Sequence, residues 1–351
     1  MKVSYEKMVE CLQMIYEKAG VTEEHARYQA ENLVSSEAKG IWSHGIGLAK
    51  RHLEDVIAGK INLSPNIRIE RIAPSSIKVD GDNALGAAVA VEAVKAAVEA
   101  AKESGCVAVT VTGGNHYGAG QYFVELATSQ NMIIYMCANG DATMAPWGGK
   151  RKYLGTNPYT YGAPAGKYPT YLLDMATTVG AARKVQQCKM DGVPAPEGWG
   201  IDADGNATTD PVRILDGGSM LPFGGPKGYG LAGMVDIMAG VLTGGAYQDD
   251  ICCMPIGDSK VNNGFYIQVI NIENFMPAAE FNKRMETLIE DITSIPAAPG
   301  FKEVLYPGEL EGRKLKAARE SALELSGETV SCIKEMADMV GLDVKQILTT
   351  L

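Results

Sequence analysis

The chain has 351 residues, 46% of them hydrophobic and 21% charged, the composition of a soluble globular protein that can bury a large core in two or three lobes. Its formal net charge of −10 argues against nucleic acid or an anionic membrane as the main partner, while leaving room for a local basic pocket. Seven cysteines (11, 106, 137, 188, 252, 253 and 332), with no C-x-x-C pair, fit free thiols in a reducing cytoplasm, and the charged start is no signal-peptide core.

In chain order, the first elements are predicted helices. Met8, Cys11, Leu12, Ile15 and Tyr16 recur at helical spacing, and Gly20 closes that element. Thr22 is placed to cap a second helix running to about Gly40, and Ser43 to cap a third, with His44 at its positive end. Alternation then takes over. Ile67 and Ile69 share one strand face and Ile77 and Val79 another, with Pro74-Ser75 as the turn. Residues 87–103 predict an alanine-rich helix striped by Val91, Val94 and Val98; Val107, Val109 and Val111 predict a strand that delivers the chain to His116. A helix over 119–129 and a buried strand at 132–137 follow. Farther on come a strand near 170–174, helices near 179–190 and 228–243, a strand at 265–272, and helices near 278–292, 312–325 and 329–341. This rhythm indicates an α/β core. Residues 228–247 are long enough to cross a bilayer, but Asp236, the glycines and the lack of a basic flank make them a buried helix. Asp202-x-Asp204-Gly205-Asn206 echoes a calcium loop, yet Ala207 and Arg213 occupy its sixth and twelfth positions, so a plain turn is expected.

Two of the four histidines sit within two residues of a glycine, in Ser43-His44-Gly45 and Asn115-His116-Tyr117-Gly118. Glycine lets the backbone approach a bound molecule, and imidazole exchanges protons near neutral pH. Taken singly, each is more simply a loop histidine with its hydrogen bonds satisfied. No G-x-G-x-x-G follows a predicted strand, and no P-loop, H-E-x-x-H or nucleophile-elbow motif occurs. Histidine and cysteine nowhere fall at ligand spacing, so no metal is expected. Gly224-Gly225-Pro226-Lys227-Gly228 opens the long apolar helix, where free backbone N–H groups and Lys227 suit a phosphate or carboxylate. A glycine hinge with a solvated lysine is the plain alternative. Asp174-Met175-Ala176-Thr177-Thr178 ends a strand and starts a helix, its carboxylate placed for ribose hydroxyls or simply for an N-cap.

Read in order, these segments join Gly148-Gly149, Gly155-Thr156-Asn157-Pro158, Thr209-Asp210-Pro211, Pro226-Lys227-Gly228-Tyr229-Gly230 and Tyr306-Pro307-Gly308-Glu309. Together they resemble the type-2 malate/L-lactate dehydrogenase family, which also holds ureidoglycolate, sulfolactate and diketogulonate enzymes and some cyclic-imine reductases. The resemblance covers nearly the whole chain. It implies an α/β, non-Rossmann three-layer fold with a mixed sheet and an N-terminal helical subdomain, in a cytoplasmic homodimer. The implied activity is hydride transfer between NAD, with NADP left open, and a small hydroxy or carbonyl compound. A 2-hydroxy acid is the expected substrate; imine reduction, and non-catalytic binding on the same scaffold, stay open.

By the same resemblance His116 is the acid/base at the reacting oxygen and His44 a second histidine beside the substrate. Ser43, Leu48, Arg51 and Thr156 would line the substrate, and Asn139, Asp174, Met175, Ala176, Thr178, Lys227, Gly228, Gly308 and Glu309 the cofactor. Residues 1–65 would form the helical subdomain with 312–351 packed on it, 66–115 with 230–311 the substrate and dimer core, and 116–229 the cofactor region. Two positions depart from the family. Leu48 stands where many members place a carboxylate-binding arginine; Arg51 either reaches in from farther along the helix or, more simply, is a solvated helix charge. Arg183 stands where relatives often have glycine; it is either a partner for a cofactor phosphate or an exposed helix charge.

Overall fold

The computed structural model describes residues 1–254 and 259–343. At its centre lies a seven-stranded sheet: β1 Arg68–Ala73, β2 Ser76–Ala84, β3 Cys106–Gly114, β4 Met132–Ala138, β5 Tyr159–Ala163, β6 Tyr171–Met175 and β7 Phe265–Asn271. Their spatial order is β1-β2-β3-β7-β4-β5-β6. The sheet is mixed. Only β2 and β3 run parallel, because a helical crossover joins them; the other neighbours are antiparallel. In the central strands Val107, Val109, Val111, Ile267 and Val269 are fully buried, whereas β1 carries Arg68, Glu70 and Arg71 on an exposed edge that resists further pairing.

Helices α1 Tyr5–Lys18, α2 Glu23–Ala38 and α3 Ile46–Ile57 precede the sheet, and α4 Gly86–Ser104 and α5 Gln121–Thr128 pack on it. The expected valine stripe of α4 understates its burial. Ala87, Ala88, Val89, Ala90, Ala93 and Ala97 are buried too, because α4 meets β3 and β7 on one side and α2 on another. Small side chains permit that approach.

The helices Glu309–Glu320 and Gly327–Met339 complete the N-terminal core, where Leu315, Ile333 and Met336 join Leu12, Ile15, Leu33 and Leu53. Strand Leu323–Glu324 pairs with Lys2–Val3. Each large aliphatic side chain so buried contributes roughly 1.5–3 kcal/mol. Truncating fully buried Leu53 to alanine would cost about 2–5 kcal/mol through lost contacts and a residual cavity.

Several local expectations change. The third helix starts at Ile46, not Ser43; Trp42–His44 form a single 3-10 turn, and the Glu37 carboxylate accepts the Ile46 N–H at 3.1 Å. Ser43 therefore caps nothing. Thr22 is an N-cap by position, but its hydroxyl makes no capping bond. After β6 no helix begins until Ala182, so Thr177 and Thr178 bond within the loop instead, to the carbonyls of Thr156 and Gly180.

Strand β5 escaped the periodicity because it is short and holds Gly162. A Cβ there would lie 2.0 Å from Val124 Cγ1, so glycine is what lets α5 rest on the strand. The long apolar helix runs Pro226–Asp236 and then widens to a π-helical turn at Ile237–Val241. No helix among the described residues is long and apolar enough to cross a membrane. Asp202 Oδ1 accepts the N–H groups of Asp204 and Asn206, the expected turn.

Candidate active site

Three imidazoles from separate segments converge at the junction of the helical N-terminus and the sheet. His116 lies just beyond β3, where Gly118 turns the backbone into the left-handed region (φ +87°) and brings its own N–H to 3.3 Å from His116 Nδ1. The loop is fixed from both sides. Asn115 Nδ2 donates to the carbonyls of Asn83 and Ala84, and Asn32 Nδ2 donates to the Tyr117 carbonyl at 2.9 Å. Gly86 is needed beneath it, since a Cβ there would meet the Asn115 oxygen at 1.9 Å.

His44 stacks on His116 with ring centroids 5.8 Å apart, and Ser43 Oγ lies 2.9 Å from His44 Nδ1. Behind them, buried on α3, His52 places Nε2 3.3 Å from His116 Nδ1 and Nδ1 2.8 Å from Gln29 Nε2. His44 and His116 are half-buried, while His52 is sealed. Sequence inspection singled out His44 and His116 but not His52 or Gln29. His52 has no glycine neighbour, and only its place one turn beyond Leu48 on α3 hinted at a shared face.

Asp174, at the end of β6, faces this cluster. Its Oδ1 accepts from Thr160 Oγ1 at 2.8 Å and its Oδ2 from Gln121 Nε2 at 3.3 Å. Met175 follows in the same strand, and the Thr177 N–H and hydroxyl donate to the Thr156 carbonyl at 2.8 and 2.9 Å. Phe223 N–H donates to Thr177 and Thr178 bridges to Pro222, so Thr156, residues 174–178 and the segment entering Lys227 form one connected surface.

Burial and like charge shape the electrostatics. Burial, then its neighbours His52, His44 and Arg183, drive His116 well below the ordinary histidine range. His52 is lowered to about 4, chiefly by burial. His44 is lowered by burial and by Arg183 while Asp174 pulls it up; burial in turn raises Asp174. At neutral pH all three imidazoles are uncharged, so the cluster can accept a proton.

Other expected contributors lie elsewhere or are already occupied. Arg51 Nε pairs with buried Asp55 at 3.1 Å, one turn along α3. Leu48, 5% exposed, belongs to the core of the helical subdomain. Asn139 uses its whole amide on structure, donating to Asp236 and the Ala246 carbonyl and accepting from Gly264. Glu309 accepts the Tyr306 N–H and pairs with Arg313. Gly308, at φ +91°, packs against Thr170 and Leu172 near the opposite end of β6 from Asp174.

Lys227 is exposed on the first turn of its helix, but the Gly228 N–H is taken by the Phe223 carbonyl and Pro226 has none, so fewer amides are free there than the sequence suggested. Arg183 Nη1 donates to the Ser43 carbonyl at 3.3 Å. It is thus a cation of the histidine cluster rather than a remote helix charge.

The malate/L-lactate dehydrogenase family model matches residues 3–334. Malate dehydrogenase of Pyrococcus horikoshii is 34% identical over 349 residues, covering 97% of this chain and 96% of the relative. The solved structure of sulfolactate dehydrogenase from Methanocaldococcus jannaschii superposes with a TM-score of 0.90 at 34% identity, covering 99% of both chains. A Δ1-pyrroline-2-carboxylate/Δ1-piperideine-2-carboxylate reductase of Pseudomonas putida is 28% identical, covering 95% of this chain and 96% of its own. The mixed sheet and its helices are the fold of these enzymes, and the chain belongs to the malate/L-lactate dehydrogenase family as a dehydrogenase acting on CH–OH groups.

Proposed function

We propose that the protein interconverts a small 2-hydroxy acid and its 2-oxo acid, with NAD as cofactor and His116 as the acid/base. The observation that carries this reading is the placement of His116. Its Nδ1 is engaged by His52 and Gly118, which leaves Nε2 as the ring nitrogen for a substrate oxygen. The donor set suits a dinucleotide. A carboxylate offers about four lone-pair directions; the Thr160 hydroxyl and the Gln121 amide and backbone N–H use three at Asp174, leaving room for one ribose hydroxyl. Met175, Ala176 and Thr178 line the same surface, with Lys227 beyond them for phosphates, whereas Gly308 and Glu309 sit by the opposite end of β6 and the Gly228 N–H is already taken. Asn139 acts there as a support rather than a contact.

Bound nicotinamide supplies or accepts the hydride at its C4. The chain's own residues do the rest. In oxidation, neutral His116 takes the hydroxyl proton at Nε2 as the hydride leaves the carbon; in reduction, the imidazolium returns it. A substrate carboxylate beside the histidines favours their charged forms, so substrate binding raises the pKa of His116 from its depressed value.

His44 and Ser43 flank the substrate with Thr156. Arg183, rather than Arg51, is the guanidinium that acts on both His44 and His116, and it offers the cation for a carboxylate. Its engagement at Ser43 also favours NAD over a 2′-phosphorylated cofactor. Because a C=N bond accepts hydride and proton in the same way, reduction of a cyclic imino acid is the second reading, favoured by the resemblance to the Pseudomonas putida reductase.

In this scheme residues 1–65 with 312–343 carry the substrate side, 116–229 the cofactor, and 66–115 with 230–254 and 259–311 the remaining core; 255–258 and 344–351, assigned with them from the sequence, lie outside the described residues. A cytoplasmic homodimer fits seven unpaired cysteines and the exposed Met234, Ile237, Val241 and Leu242 along one helix. The test is consumption of NADH and NADPH with a panel of 2-oxo acids, ketones and cyclic imines. Turnover with oxo acids is expected. Turnover confined to imines would replace the first reading with the second, and cofactor binding without any turnover would make the chain a binding protein.

A further inference from the structure

The buried pair Gln29–His52 is used by no step above, yet it touches His116 directly. His52 is 4% exposed, Gln29 is 1% exposed, and Gln29 Oε1 is buried without a hydrogen-bond partner. An amide has a donor end and an acceptor end, and a neutral imidazole has one nitrogen of each kind. The chain Gln29–His52–His116 therefore has two self-consistent arrangements.

With Gln29 Nε2 donating to His52 Nδ1 at 2.8 Å, His52 carries its proton on Nε2 and donates to His116 Nδ1 at 3.3 Å. The Gly118 N–H reinforces that acceptor role. His116 then holds its own proton on Nε2 and cannot act as a base there. With the amide turned over, Oε1 gains its missing partner by accepting from His52 Nδ1, and His52 Nε2 accepts from His116 Nδ1. His116 Nε2 is now a free base, or an acid once protonated, at the loss of the Gly118 bond.

We propose that His52 and Gln29 are positioning residues whose amide orientation selects which nitrogen of His116 carries the proton, and so switches it between a resting donor and the acid/base form. This rests on His116 being the acid/base. No proton leaves through the pair, because an amide does not relay one; beyond it the Tyr16 hydroxyl touches Gln29 and donates to the Ala49 carbonyl. The charged or titratable groups facing the two rings are His44 from the 3-10 turn, Arg51 from α3 and Arg183 from helix Ala182–Asp191, with Asp174 of β6 acting on His44. None of them offers His52 an acceptor in place of Gln29.

The test uses the full chain with 15N-labelled histidines, read by nitrogen chemical shifts above pH 7, and needs no substrate. Wild type is expected to show His116 protonated at Nε2. Gln29→Glu, which only accepts, is expected to move the proton to Nδ1; Gln29→Met, which does neither, is expected to give a mixture. Should Gln29→Glu not fold, Gln29→Met and His52→Asn carry the comparison. Where oxo-acid turnover is found, Gln29→Glu should also move the midpoint of the pH–rate profile upward by at least about one unit. An unchanged His116 tautomer in folded Gln29 and His52 variants overturns the proposal. Failure of turnover alongside a shifted tautomer would count against the acid/base reading and leave the switch standing.

Discussion

The two sides of the site are built differently. On the histidine side, His44, His52, His116 and Gln29 bond or stack against one another, and burial has already set their charge. Across the sheet end, Lys227 is exposed and Asp174 has a lone pair to spare. The first side is organised before any ligand arrives; the second presents groups that a ligand must complete. Substitutions on the histidine side should therefore disturb chemistry and fold together, and those on the other side mainly binding.

The largest effect is expected at the centre of the organised side. His116→Ala should lower kcat by roughly 10²–10⁴, the usual contribution of a positioned acid/base, while fluorescence titration finds NADH affinity nearly unchanged. A comparable loss of NADH affinity would blur the two sides. The second effect is acid lability. His52 is held near pKa 4 against about 6.5 when unfolded. The unfolded chain thus binds a proton that the folded chain refuses, and stability falls as pH drops from about 6.5 towards 4, by up to about 3 kcal/mol from this residue. Denaturant unfolding at pH 7 and pH 4.5 measures it, and His52→Phe should remove this residue's share of the difference, the rest staying with His116 and His44, which burial lowers in the same direction.

On the open side, Asp174→Ala should weaken cofactor binding by about 10- to 100-fold through a lost charge-assisted hydrogen bond. Arg183→Ala should raise KM for an anionic substrate by about two- to fivefold, as for a largely exposed ion pair, and spare neutral ketones. If it weakened NADPH binding instead, Arg183 would belong to the cofactor. The smallest effect is Lys227→Ala, about two- to fivefold in cofactor affinity, since one exposed charge at a helix N-terminus contributes roughly 0.3–1 kcal/mol.

The sequence disclosed those parts whose signals are local. Periodicity located the helices and most strands, and glycine near His44 and His116 marked the two accessible imidazoles. What it hid was created by long-range packing. Strand β7 inserts between β3 and β4 from far along the chain, and nothing near Phe265 announces that neighbour. His52 and Gln29 look like ordinary helix residues until α2 and α3 meet over the His116 loop. Arg183 presented itself as a solvated charge because its partner, the Ser43 carbonyl, lies 140 residues away. Ser43 misled in the other direction: a serine before an apolar run suggests an N-cap, but Glu37 from the preceding helix takes that place.

In the proposed reaction a hydride moves between nicotinamide C4 and the substrate carbon while His116 handles the proton at the oxygen. Its most direct test is reduction of 2-oxo acids with NADH carrying deuterium at both C4 positions, followed by mass spectrometry of the product, for wild type and His116→Ala side by side. Deuterium on the carbinol carbon of a 2-hydroxy acid, formed by wild type and nearly abolished in the variant, is the expected result. Product without deuterium would rule out the direct hydride transfer, and undiminished product from His116→Ala would rule out His116 as the acid/base.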